Sequence, residues 1–125
     1  MTRLLHSVLA CQLIALIGLL GHASAHSFPQ HAEPRVGAVV STPPTKVRIW
    51  FTGALEPVIS TLRVEDAGGK QVDRGDSRLS PGDNSLIEVS LAPLPAGVCR
   101  VIWAVVSRDG HRTQGSYTFT IQTVR

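Results

Sequence analysis

This 125-residue chain is poor in the residues that usually announce a function. Charged residues make up only 17% and aromatics 5%, and there are two cysteines and one methionine. The basic residues from Arg35 to Arg125 are scattered singly, without a Lys/Arg cluster interleaved with aromatics, so no nucleic-acid-binding surface is indicated. There is no GxGxxG, Walker, HExxH, CxxC or GxSxG pattern, which removes the common dinucleotide, phosphate, zinc-protease, redox and hydrolase motifs. At 43% apolar residues the chain is too hydrophobic to be disordered, and its length suits one domain. The chain has eight prolines and eleven glycines, and their recurrence through the second half disfavours a helical bundle.

What is present begins with an export signal. Arg3 supplies a positive start, Val8 to Leu20 is almost wholly apolar, and Ala23-Ser24-Ala25 offers small residues at the cleavage positions. The apolar run is shorter than the roughly 20 residues of a membrane span. Residues 1–25 are therefore expected to be a signal peptide and 26–125 the mature domain, exported to the periplasm. Cleavage after Ala25 removes Met1, Cys11, His6 and His22. It leaves Cys99 and three histidines, His26, His31 and His111. A lone cysteine forms no internal disulfide, and Cys99 lies in an apolar alternating run, so it reads as a small buried hydrophobe.

The mature chain reads as all-β. Period-two alternation marks strands at Lys46–Thr52, Ser60–Asp66, Ser85–Leu91, Val98–Ser107 and Gly115–Gln122, with a short segment at Lys70–Asp73. Arg74–Asn84 reads as a loop and Arg108–His111 as a turn. Short strands at near-regular spacing with Gly/Pro turns predict a two-sheet sandwich or barrel. Trp50, Phe51, Trp103 and Phe119 are expected in its core, and Tyr117 as a packing residue with a bonded hydroxyl.

The chemistry concentrates at two places. His26 is the first residue of the cleaved protein, and Asp109-Gly110-His111 joins a carboxylate and an imidazole in one turn. A terminal histidine can chelate a metal through its α-amine and Nδ1 together. With an Asp109 oxygen and a His111 nitrogen the set becomes three nitrogens and one oxygen, suited to tetragonal Cu(II). Spacing alone leaves a second reading open, in which His26 is a terminal residue without a role and Asp-Gly-His a solvated turn. Asp109 and His111 two residues apart are poorly placed for a serine-hydrolase relay.

Val105-Val-Ser-Arg-Asp-Gly-His111, followed by Gly115-Ser-Tyr-Thr-Phe-Thr120, resembles the closing "VSxDGH…GSxxFxV" motif of the CopC-type periplasmic copper-resistance proteins. His26-Ser-Phe-Pro-Gln-His-Ala-Glu-Pro34, Val47-Arg-Ile-Trp-Phe-Thr52 and Leu55-Glu-Pro57 resemble the family's front and middle, so the resemblance spans residues 26–125. It implies a seven-stranded, Greek-key, immunoglobulin-like β-sandwich or barrel. It implies Cu(II) held by His26, Asp109 and His111 in a monomeric, non-catalytic protein of copper resistance or homeostasis that passes copper to a CopD-like inner-membrane transporter.

Two departures stand out. Some members carry a methionine-rich Cu(I) site, whereas the only methionine here is Met1, which places this chain with the Cu(II)-only branch. Members also often have an acidic or amide residue where this chain has Gly53, leaving Glu56 as the nearest carboxylate. His31 is expected to be an exposed loop residue outside the site. Two other functions compete: a histidine-brace copper monooxygenase, against which the Asp109 carboxylate argues, and an immunoglobulin-like interaction domain without a metal.

Overall fold

The computed structural model describes residues 26–123, and the expected signal peptide lies outside the described residues. Eight strands follow in order: β1 (Pro29–Glu33), β2 (Val39–Val40), β3 (Lys46–Phe51), β4 (Thr61–Asp66), β5 (Arg78–Ser80), β6 (Asp83–Ser90), β7 (Gly97–Val106) and β8 (Arg112–Ile121). They form two four-stranded sheets, β1-β3-β6-β5 and β2-β8-β7-β4. Without β2, these orders are the A-B-E-D and G-F-C sheets of an immunoglobulin-type sandwich. The count is eight where seven strands are expected, because the chain leaves the first sheet after β1 and adds β2, parallel to β8, on the second. The Tyr117 hydroxyl fixes this crossing by donating to the Pro34 carbonyl at 3.0 Å.

The sandwich follows from alternation. Val47, Ile49 and Phe51 of β3 point inward, while Lys46, Arg48 and Trp50 point out. Val64 of β4, Ile87 and Val89 of β6, Val101 and Val105 of β7, and Phe119 of β8 fill the space between the sheets with no exposed surface. Cys99 is buried among them and unpaired. Each fully buried side chain of this kind contributes roughly 1.5–3 kcal/mol.

The four aromatics expected in the core divide. Phe51 and Phe119 are core residues. Trp103 sits at the core's margin, its indole edge-on to Phe51 at 5.4 Å between centroids. Trp50 is not core: its parity on β3 sends it to the outer face, where the His31 ring lies 5.0 Å away. His31 itself is on a strand, β1, and not in a loop.

The remaining elements complete the picture. β1 and β2 are strands that the alternation does not mark, β5 lies inside the polar stretch 74–84 expected as a loop, and the short segment Lys70–Asp73 makes only isolated bridges, Gln71 to Glu65 and Asp73 to Leu91.

Candidate metal centre

The tight β7–β8 turn carries two of the three candidate ligands. The Ser107 N–H donates to the His111 carbonyl at 3.0 Å and the Gly110 N–H to the Ser107 carbonyl at 2.9 Å. Gly110 has φ +87°, in the left-handed region where a side chain would be strained. Asp109 folds back over its own turn: Oδ1 accepts from the Ser107 hydroxyl and, at 3.0 Å, from the His111 N–H. Its other oxygen, Oδ2, lies 2.8 Å from His111 Nδ1.

These donors, the Ser107 hydroxyl first and then the His111 N–H and ring, hold the Asp109 carboxyl well below the usual carboxylate range. Asp109 is therefore an anion throughout the neutral range, beside an imidazole whose Nδ1 it engages. A carboxylate on one ring nitrogen fixes the orientation of the other, the arrangement commonly found behind metal-binding histidines.

The third residue arrives from the opposite end of the described chain. Ser27 and Phe28 are pinned between the end of β3 and the start of β8. Thr113 Oγ1 donates to the Ser27 carbonyl at 2.9 Å, and Phe28 exchanges bonds with Thr52, from its N–H to Oγ1 at 3.1 Å and to its carbonyl at 2.8 Å. This lays the His26 ring over that of His111, with centroids 4.3 Å apart and planes 21° apart. One ligand atom from each of His26, Asp109 and His111 falls within 4.8 Å of the others. Donors facing each other across a metal at bonds of about 2.0–2.1 Å stand roughly 4 Å apart, so small side-chain rotations would close this group on an ion.

The other candidates are not brought in. His31 pairs with Glu33 at 3.4 Å on β1, and neither it nor Glu56 belongs to the clustered group. Glu56 instead uses its backbone N–H to bond the Val106 carbonyl at 2.8 Å, holding the 53–59 loop against the end of β7. Cys99 is packed in the core, where burial pushes its thiol up. Gly53 borders the amino-terminal segment: a Cβ there would stand 3.0 Å from Ser27 Oγ, which is buried and has no hydrogen-bond partner.

Sequence reasoning passed over the residues that hold the ligands in place: Ser107, Thr113, Thr52 and Ser27. The turn itself had a signal, since an aspartate whose carboxylate accepts from the N–H two residues on, as Asp109 does from His111, is a standard local pattern. Thr52 and Thr113 act across 24 and 86 residues of sequence and carry no local mark.

Comparison with known proteins places this geometry in a family. A model of the CopC domain matches residues 30–122. Copper resistance protein C of Escherichia coli is 29% identical over 114 residues, covering 86% of this chain and 90% of that one. Copper resistance protein C of Xanthomonas campestris pv. juglandis is 30% identical over 122 residues, covering 91% and 95%. Among solved structures, CopC from Methylosinus trichosporium OB3b aligns with a TM-score of 0.75 at 30% identity, covering 80% of this chain and 97% of that one. PcoC of Escherichia coli, described as methionine-rich, aligns with a TM-score of 0.67 at 28% identity, covering 78% and 100%. The present chain departs from that last relative in having Met1 as its only methionine. This chain therefore belongs to the CopC family, among relatives named as copper-resistance proteins.

Proposed function

We propose that this protein is a periplasmic Cu(II)-binding protein of copper resistance or homeostasis, which sequesters or delivers the ion without turnover. His26, once freed by cleavage after Ala25, supplies its α-amine and an imidazole nitrogen, and His111 and Asp109 complete the set. The observation that carries this reading is the convergence of one ligand atom from each of the three residues within 4.8 Å. Nitrogen-rich sets favour Cu(II) over the other common divalent ions, and the absence of methionine after Met1 leaves no thioether for Cu(I). The mature protein is a monomer, and its acceptor is a CopD-like inner-membrane transporter. The alternative functions, a histidine-brace copper monooxygenase and an immunoglobulin-like interaction domain without a metal, lose ground to family membership, since these relatives are named as copper-resistance proteins.

The test is a Cu(II) titration followed by EPR, comparing protein that starts at His26 with protein carrying one extra residue ahead of it. Tight binding and a nitrogen-rich tetragonal spectrum are expected for the first form only, and equal binding by both would remove the terminal chelate. Binding should weaken in acid, because the amine and both imidazoles must lose their protons to coordinate.

The 2.8 Å contact between Asp109 and His111 favours a second reading within the same function. In it Asp109 stays on His111 Nδ1, orienting the ring so that Nε2 meets the metal, and does not itself coordinate. Asp109→Asn separates the two: a changed copper EPR spectrum identifies a ligand, whereas a weaker affinity with an unchanged spectrum identifies a positioning residue.

A further inference from the structure

The segment that carries His26 is held by polar bonds with almost no apolar burial. Among the described residues, no hydrophobic side chain ahead of Ala32 joins the core. Phe28 is 53% exposed, and Pro29, Gln30 and His31 of β1 are exposed as well. Residues 26–28 are fastened instead by three hydrogen bonds. Thr113 Oγ1 donates to the Ser27 carbonyl, the Phe28 N–H to Thr52 Oγ1, and the Thr52 N–H to the Phe28 carbonyl. The pairing of β1 with β3 is itself interrupted by a register shift between Pro29 and His31.

Ser27 points inward from this segment and works against its fastening. The residue is 1% exposed, and its Oγ has no hydrogen-bond partner among the described residues. Gly53 offers it no side chain, and the hydroxyl lies 3.0 Å from where a Cβ at that position would stand. A buried hydroxyl without a partner has lost its water and gained no bond in exchange. Lifting the segment hydrates it, and water can replace the three bonds that are broken. Segments with few buried apolar contacts are the ones that open locally while the core stays folded. The other half of the metal centre lacks this weakness. Asp109 and His111 are bound into their own turn through Ser107, and the β7–β8 ladder anchors that turn along its whole length.

We infer that residues 26–28 form a strap that opens while the rest of the sandwich stays folded, and that this opening releases the ion to an acceptor. The inference rests on the copper-binding function proposed above. Raising the strap withdraws the α-amine and the imidazole of His26 together, while Asp109 and His111 keep the ion. Donor groups of the acceptor enter at the vacated positions, so the ion changes hands without becoming free in solution. The unbonded Ser27 hydroxyl biases the strap toward opening and so favours exchange over retention.

Two measurements on protein that starts at His26 test this. In the metal-free form, amide hydrogen exchange followed by NMR reads the strap directly. The Phe28 and Thr52 amides should exchange far faster than that of Val101, which lies in the middle of β7 between β4 and β8. Ser27→Ala should slow exchange at Phe28 and Thr52 about fivefold, and Thr113→Val should quicken it by about the same factor. In the Cu(II)-loaded form, transfer to excess nitrilotriacetate, followed by stopped-flow absorbance, should be slowed by Ser27→Ala and quickened by Thr113→Val. Both variants should keep the native copper EPR spectrum, a combination that loss of a ligand would not produce. Phe28 and Thr52 amides that exchange as slowly as Val101 would overturn the strap. Transfer that neither variant alters, with both spectra native, would overturn opening as the release step. A native protein without a copper EPR signal would instead overturn the function, and the release step with it, even where the amides open as expected.

Discussion

Single residues at the margins of the sandwich show how closely its interior is fitted. Gly115 faces Trp103 across the β7–β8 pair, and a Cβ at that position would stand 2.6 Å from the indole Cζ2. The ring occupies the space a side chain would need, and Phe51 limits its escape. Gly115→Ala should therefore cost about 1–3 kcal/mol of stability, as overpacking does. Chemical denaturation followed by tryptophan fluorescence checks this, and an unchanged midpoint would show that the indole swings free. The Gly53–Ser27 contact works differently, because the neighbour is a short hydroxyl that has no partner. Ser27→Ala removes a buried, unbonded polar group and should be neutral or stabilising by about 1 kcal/mol. Gly53→Ala should be better tolerated on that background than on the native one, a coupling measured by a double-mutant cycle. A strictly additive cycle would show that the two sites do not share this space.

At the scale of elements, the edge strand β4 is protected by atoms from the connection that follows it. Its outward amides are each taken: Leu62 N–H by Ser77 Oγ at 2.9 Å, Val64 N–H by Asp73 Oδ2 at 2.9 Å and Asp66 N–H by the Lys70 carbonyl at 2.8 Å. An uncovered edge would be a template for another chain. Asp73→Ala removes the acceptor for Val64 and also for Gln71 and Gly75, so it should cost about 1–3 kcal/mol and promote self-association. Analytical ultracentrifugation reads the second effect; a monomer of native stability would deny the strand its cover. Asp76, in the same connection, has its carboxyl lowered to about 2 by hydrogen bonds from Ser90 and then by the Arg78 guanidinium. A carboxylate depressed in the fold adds stability above its unfolded pKa of about 3.9, and that stability is lost as pH falls from there toward 2. The loss should be modest, since the side chain is 38% exposed and solvent screens the pair. Asp76→Asn should flatten the acid limb of a thermal-stability profile between about pH 4 and 2; an unaltered limb would assign it to other carboxylates.

These devices also explain what the sequence left unreadable. The five longer strands, β3, β4, β6, β7 and β8, are legible because each is long enough to set a run of apolar residues against the core, although β6 buries Leu86 to Val89 in succession. β1 buries only Ala32 of its five residues and so has no period to read. β2 and β5 span two and three residues, too short for a period, and owe their pairing to β8 and β6. The short segment Lys70–Asp73 serves β4 through single bonds and builds no ladder of its own.

Considered as one molecule, the sandwich brings residue 26 onto residue 111, from opposite ends of the described chain. The Asp-Gly-His half of the site was legible because it is local, a turn written in consecutive residues. That His26 joins it is not written locally and is reached only through the chemistry of a terminal histidine and the family resemblance, because the contact itself depends on β3 and β8 clamping Ser27 and Phe28 through two threonines. A metal bound by both halves would tie the amino-terminal segment to the last hairpin, and such a tie stabilises only the folded state. At free Cu(II) a hundredfold above the dissociation constant, mass action adds about 2.7 kcal/mol. For a domain of about 100 residues that corresponds to a rise in Tm on the order of 10–20 °C. Protein starting at His26 should show this rise on adding Cu(II), and Thr113→Val should reduce it by loosening the segment while leaving the ligands themselves intact. An equal rise in protein with an extra amino-terminal residue would mean that copper grips the hairpin alone, and that the long-range closure contributes no energy to the site.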